Sequence, residues 1–217
     1  MVTYSIDGHD FKDYGVGISA SKGLTDLPKQ KTPLSVDWSD RDGKYIDLSH
    51  RTYQQREITL ECFMSANGYG DFIAKCDSFL ALFMGAGLHY LQVSLSETDN
   101  QNQAVTSYLH YMMYQDGGVA LNKSWHEKHM IGTFTLKLIE PEPHKEVVYL
   151  NDSNISTVVI SATRLCKYCI WDNTNNTATW TYNVINSGTT PTTIQNTPAD
   201  KYLLIYGNPA DFTVTTT

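Results

Sequence analysis

The chain has 217 residues, a formal net charge of -7 and 12% aromatic side chains. This charge argues against a non-specific nucleic-acid binder, because such proteins draw their affinity from Lys and Arg at phosphates. No apolar run reaches the roughly 20 residues of a membrane-spanning helix. The N-terminal residues lack the basic and apolar regions of a signal peptide, so synthesis in a cytosol is expected.

The first 50 residues predict two hairpins joined by a loop. Asp7-Gly8 follows a short β-like run, and Asp42-Gly43 supplies the positive-φ residue that a tight hairpin turn requires. Between them, residues 22–32 form a charged loop that contains a proline. A solvated connection and a contact arm both fit this loop.

Residues 56–64 predict a half-buried strand, because apolar and polar side chains alternate there. The apolar face comprises Ile58, Leu60, Cys62 and Met64, with Phe63 out of pattern. Residues 88–95 alternate in the same way and predict a second strand.

Between these strands, apolar residues at helical spacing predict a helix over about residues 71–84. Asp71 is expected to cap it, and Gly85 and Gly87 follow its end. Phe79 and Leu80 are expected in the core.

Several short motifs in this part of the chain occur together. They are the turn Arg41-Asp42-Gly43, Tyr53 just before a strand that begins with Arg56, and the opening segments 6–11 and 14–18. In combination with the strand, helix and strand, they resemble the N-terminal domain of the distal tail (Dit) proteins of long-tailed phages or prophages.

The resemblance implies a structural virion protein at the tail tip and no enzymatic activity. It implies a hexameric ring between the tail tube and the adsorption apparatus, with a channel through which DNA passes without specific binding. The implied partners are the tail-tube protein and a tail-associated hub protein. The resemblance also implies synthesis in the bacterial host cytoplasm. It implies no membrane partner.

Three further strands, at residues 105–114, 119–125 and 130–139, complete an antiparallel β-sandwich or split barrel with one helix. The prolines of Glu140-Pro-Glu-Pro-His144 then interrupt the sheet and predict a domain boundary. We therefore expect a mainly β protein with a ring-forming domain over 1–143 and a small β-sandwich-like module over 144–217.

Two motifs have metal-like spacing. Cys166 and Cys169 lie three apart, but on a strand such residues face opposite sides, which favours two structural cysteines. His126 and His129 do not have the i, i+4 spacing of helical zinc sites. Neither a metal site nor a cofactor is predicted, and no nucleophile motif suggests an enzyme.

Two sets of residues are candidates for contacts. The channel or assembly candidates are Asp37, Asp40, Asp42 and Asp47; a generic acidic surface is the alternative. The glycan-contact candidates are Trp171, Trp180 and Tyr182; burial in a small core is the alternative. Two other functions remain open, a tail-tube or baseplate protein and a carbohydrate-binding module.

Overall fold

A computed structural model describes residues 1–48, 51–98, 104–126, 129–150, 155–164, 166–182, 191–195, 200–208 and 211–217. Within these ranges the chain is mainly β with one α-helix, as the sequence predicts. The strands are β1 (Val2–Ile6), β2 (His9–Asp10), β3 (Val16–Lys22), β4 (Ser35–Asp37), β5 (Lys44–Ile46), β6 (Arg56–Ala66), β7 (His89–Thr98), β8 (Ala104–Gln115), β9 (Asn122–His126), β10 (His129–Glu140), β11 (Lys145–Tyr149), β12 (Thr157–Ala162), β13 (Lys167–Asp172), β14 (Thr177–Thr181), β15 (Thr192–Gln195), β16 (Lys201–Tyr206) and β17 (Phe212–Thr216). The helix α1 spans Tyr69–Ala81, and Phe11–Tyr14 forms a short 3-10 helix.

The chain divides into two compact units. The first unit comprises residues 1–26 and 56–141, and the second comprises residues 27–55 and 142–217. The sequence places the segment 27–55 in the first domain, whereas its contacts group it with the C-terminal residues. Within the second unit, the Asn208 side-chain amide donates to the Arg51 carbonyl at 3.4 Å.

The first unit is an open, antiparallel arrangement of eight strands in the order β2-β1-β7-β8-β10-β6-β3, with β9 also paired to β10. The longest pairing joins β6 and β10 over eleven residue pairs. Strands β8 and β10 meet only at Leu138–Gln115 and Ile139–Tyr114, so the sheet is nearly split into two halves. This geometry agrees with the predicted sandwich or split barrel.

The core of the first unit lies between these two halves and beneath α1. On β6, the predicted face of Ile58, Leu60, Cys62 and Met64 is buried. On β10, Met130, Phe134, Leu136 and Leu138 are buried on the face that the alternation predicts, and Ile139 and Glu140 at the end of the strand are buried as well. The helix adds Phe72, Cys76 and Phe79, and the residues after it add Phe83.

The helix begins and ends earlier than the sequence predicts. Gly68 is its N-cap, so Asp71 lies in the first turn and is not the cap itself. The Asp71 carboxylate accepts from the Asn67 amide at 3.0 Å and pairs with Lys75 at 3.0 Å, and both contacts lower its pKa. After Ala81 the chain continues as a short 3-10-like turn, with the Met84 amide donating to the Ala81 carbonyl. Phe79 is fully buried, whereas Leu80 is only half-buried.

An ion pair fixes the start of β6. Arg56 Nε lies 3.1 Å from Glu140 Oε2, and Glu140 is fully buried. Arg56 Nη1 donates to the carbonyls of Gly23, Leu24 and Asp26 at 2.8 to 3.2 Å. Arg56, which the sequence motif includes, therefore holds residues 23–26 against the start of β6.

The second unit contains two facing sheets and a separate hairpin. The sheets have the orders β11-β16-β13-β14 and β15-β12-β17, and β4 pairs with β5. The residues between the sheets are Leu150, Val158, Ile160, Cys166, Leu203, Ile205 and Phe212. The sequence did not predict β15 or β17, the two outer strands of the second sheet.

In the part of the chain that the structure describes, no helix has the length and apolar character needed to cross a membrane.

Candidate functional site

The Arg41-Asp42-Gly43 motif forms the tip of the β4–β5 hairpin. Gly43 adopts φ 82°, a conformation that costs glycine little because it has no Cβ. Val36 pairs with Tyr45, and Asp37 pairs with Lys44. The predicted hairpin therefore forms, but residues 38–43 join its strands as a six-residue loop and not as a tight turn.

The four predicted acidic candidates all lie along this hairpin and its exit. Asp37, Asp40 and Asp42 are exposed, and Asp47 is half-buried. Asp37 Oδ2 lies 3.8 Å from Lys44 Nζ, and both side chains are well exposed. Such a pair is screened by water and salt and adds little stability. Asp37, Asp40 and Asp42 therefore present their carboxylates to solvent.

The same hairpin presents large apolar side chains to solvent. Val36, Trp38 and Tyr45 are all exposed, and they line a groove of about 340 Å³ at the turn. The Arg41 guanidinium lies 5.8 Å from the Trp38 ring centroid. An isolated two-stranded hairpin is marginally stable in water, so contacts beyond its own two strands would stabilise it.

The predicted glycan-contact residues lie on one face of the β11-β16-β13-β14 sheet. Cys169 on β13 lies opposite Trp180 on β14, and Trp171 on β13 lies opposite Tyr202 on β16. Residues directly opposite each other in a sheet project to the same side. Because Leu203 and Ile205 project to the other side, into the module core, this aromatic face is separate from that core.

The three candidates differ strongly in exposure. Trp171 is 2% exposed, and its Nε1 donates to Asn173 Oδ1 at 2.7 Å. Trp180 is half-buried, and Tyr182 is 63% exposed. The Trp180 and Tyr182 rings are nearly parallel, at 16°, with centroids 6.0 Å apart. These two rings present the accessible aromatic surface, and glycan contact there stays a prediction.

A lysine lies among these rings. Lys167 Nζ lies 5.1 Å from the Trp180 centroid and 5.8 Å from the centroids of both Tyr182 and Tyr206. It also pairs with Glu142 Oε1 at 2.6 Å. Neither Lys167 nor Glu142 was predicted at this site, because both are distant from Trp180 along the chain. Only the fold brings Lys167 to the Trp180 ring and Glu142 to Lys167.

The two cysteines of the 166–169 segment are both buried and free of disulfides. Cys166 belongs to the core between the two sheets, whereas Cys169 lies on the aromatic face, as strand alternation predicts. Burial raises the pKa of Cys169 to about 12 and also raises that of Cys166. Because thiolates are the metal-binding and nucleophilic form, these side chains are poor ligands and nucleophiles.

The histidines of the 126–129 segment lie at the end of the β9–β10 hairpin. His126 and His129 pair across its two strands, and residues 127 and 128 lie outside the described residues. Among the side chains that the structure describes, no group of three or more His, Cys, Asp or Glu residues is arranged to hold a metal ion.

Together, these features define a mainly β protein with a helix-covered N-terminal unit, an exposed hairpin and a small C-terminal β module. No protein-family model matches the chain. No curated protein matches it either. Among solved structures, the chain is similar to the SPP1 Dit (gp 19.1) protein, with a TM-score of 0.45 and 13% sequence identity. The similarity covers 100% of this chain and 98% of that protein, which is described as a paradigm of the hub adsorption apparatus in phages that infect Gram-positive bacteria.

Proposed function

We propose that the protein is a structural phage tail component of the distal tail type. Six copies form a ring between the tail tube and the adsorption apparatus at the virion tail tip. The tail-tube protein and a tail-associated hub protein bind this ring, and the genome passes through its centre. The protein catalyses no reaction and requires no cofactor.

The observation that carries the proposal is the placement of the motif residues. Arg41-Asp42-Gly43 forms an exposed hairpin tip, and Arg56 begins the long strand that precedes the helix. The order strand, helix, strand follows, and a small β module completes the chain. Two of the motifs that suggest the family from sequence therefore lie at a hairpin loop and at the start of a long strand.

We further propose that Asp37, Asp40, Asp42 and Asp47 face the channel or its rim. An acidic wall repels phosphate and keeps DNA from adhering during ejection, whereas a basic wall binds it in a salt-dependent manner. The exposure of the first three side chains supports this assignment.

Native mass spectrometry and negative-stain electron microscopy of the full chain test the ring. We expect hexamers and six-fold rings, either at high protein concentration or after addition of the tail partner. Long stacked tubes formed by the chain alone would instead support a tail-tube protein. A chain that stays monomeric both at high concentration and with its partner would contradict the proposal.

A further inference from the structure

The ammonium of Lys167 is surrounded by three aromatic rings and one carboxylate, all in the second unit. We call this set, formed by Trp180, Tyr182, Tyr206 and Glu142, the aromatic cage. The ring centroids lie 5.1 to 5.8 Å from Lys167 Nζ, and the carboxylate oxygen lies 2.6 Å from it. Aromatic faces attract cations within about 6 Å of their centroids.

Backbone pairing builds the cage. Lys167 on β13 lies directly opposite Tyr206 on β16. On the other side of β13, the pairing of Tyr168 with Thr181 places Tyr182 next to Lys167, one residue beyond the end of β14. Because β16 and β14 pair with β13 on its two sides and position the rings around Lys167, the cage is formed in advance of any ligand.

The chemistry of the cage suits a cation with less bound water than lysine carries. A primary ammonium is strongly hydrated and has three N–H donors. Rings satisfy none of these donors by conventional hydrogen bonds. A methylated ammonium has few or no N–H groups and places methyl groups against the ring faces, which is why aromatic cages recognise such ligands.

The cage is accessible from solvent. Tyr182 is 63% exposed, and the side chain of Glu142 is 51% exposed. Lys167 reaches the rings by a flexible four-carbon stem, so it can leave by side-chain rotation without movement of the sheet. The Lys167 side chain is itself 24% exposed, so solvent reaches it as well as the rings.

We propose that the aromatic cage is a binding site for a methylated ammonium group and that Lys167 is its internal competitor. This inference does not depend on the ring or the channel. A neutral hexose is the other ligand that Trp180 and Tyr182 would suit. The cation is favoured because the site already holds an ammonium, with a carboxylate beside it.

The test is an NMR titration of the full chain with tetramethylammonium chloride, with sodium chloride used to match ionic strength. We expect saturable binding to the unmodified protein. Lys167→Ala should bind about tenfold more tightly, because the competing ammonium is gone. Tyr182→Ala and Glu142→Gln should each bind at least about tenfold more weakly. Both change exposed side chains, so the fold should be retained, as a circular dichroism spectrum would show.

Lys201→Ala is the matched control for Lys167→Ala. Lys201 is also on this sheet, but its ammonium pairs with Asp172 at 3.2 Å, so its removal should leave the affinity unchanged. The second control compares choline with its neutral analogue, in which carbon replaces the quaternary nitrogen. Choline should bind at least about tenfold more tightly.

Free choline and phosphatidylcholine vesicles distinguish a soluble ligand from a lipid headgroup, and either source supports the proposal if Tyr182→Ala weakens binding. No saturable binding to the unmodified protein would overturn it. Equal affinity for choline and the neutral analogue would do the same. Trp180-dependent binding of glucose or galactose without cation binding would assign the face to glycans instead.

Discussion

The glycine at position 132 interrupts the buried face of β10 and makes room for the helix. A Cβ at this position would lie 2.6 Å from Cζ of Phe72, which is fully buried. Gly132→Ala therefore forces the Phe72 ring to move in a packed core. We expect the free energy of unfolding to fall by about 1–3 kcal/mol, as overpacked cores typically show. Urea denaturation would measure this loss.

Gly118→Ala is the matched control, because nothing lies within 4 Å of a Cβ built there. Its stability should be nearly unchanged. A second test combines Gly132→Ala with Phe72→Leu, which removes the ring. If the clash is the cause, the two changes together should cost less than the sum of their separate effects. Strict additivity would show that Phe72 is not the obstacle.

A close approach between a ring and a glycine also explains Phe63, the one apolar residue on the polar face of β6. Phe63 is on the polar face and is 42% exposed. It lies directly opposite Gly17 on β3, and a Cβ on Gly17 would come within 2.4 Å of its ring. The aromatic ring covers the bare glycine backbone across the strand pair. The alternation of residues along β6 alone cannot predict this contact, because Gly17 is distant from Phe63 in the sequence.

At the scale of the element, substitutions on the buried side of α1 should lower the free energy of unfolding much more than substitutions on its exposed side. Phe79 is fully buried against Phe11 and Phe83, so Phe79→Ala should lower the free energy of unfolding by about 3–5 kcal/mol. Lys75→Ala removes only a partly exposed i, i+4 pair with Asp71 and should cost less than about 0.5 kcal/mol. Thermal unfolding of both variants makes the comparison. Similar losses would mean that the buried side of α1 is wrongly assigned.

The long strands and the helix were predictable because each has a strong periodic pattern. On β6 and β10, alternating apolar residues identified the buried faces correctly. The helix ends were less predictable. An acidic residue near the start of a helix is favoured both as the N-cap and in the first turn, so its presence does not fix the first helical residue. Here the Asp71 carboxylate reaches back to the Asn67 amide from within the helix.

The elements that were missed lack a local signal. Strands β15 and β17 are short and rich in threonine, so neither shows a clear alternation of large apolar residues. The grouping of segment 27–55 with the second unit depends on contacts such as that between Asn208 and Arg51, 157 residues apart. The aromatic cage was missed for the same reason, because its members come from segments that are distant along the chain.

At the scale of the whole molecule, net charge opposes the proposed assembly. Each chain carries -7, so a ring of six carries 6 × -7 = -42 formal charges. Like charges brought together in a compact assembly repel one another. At about 0.1 M salt the Debye length is about 10 Å, so exposed charges farther apart than this are largely screened. Ring formation should therefore become more favourable as salt is raised through this range.

The position of the hairpin acids can be tested with two variants of equal charge. Changing Asp37, Asp40, Asp42 and Asp47 to Asn brings the net charge of the chain from -7 to -3. The control changes four exposed acids of the first unit, Glu57, Glu61, Asp77 and Asp116, to their amides and reaches the same charge. If the hairpin acids surround a common axis, copies of them lie closest together in the ring and repel most strongly. The hairpin variant should then form hexamers at lower salt than the control, as native mass spectrometry across a sodium chloride series would show. If the two variants assemble at the same salt concentration, only total charge matters and the hairpin acids do not face the channel.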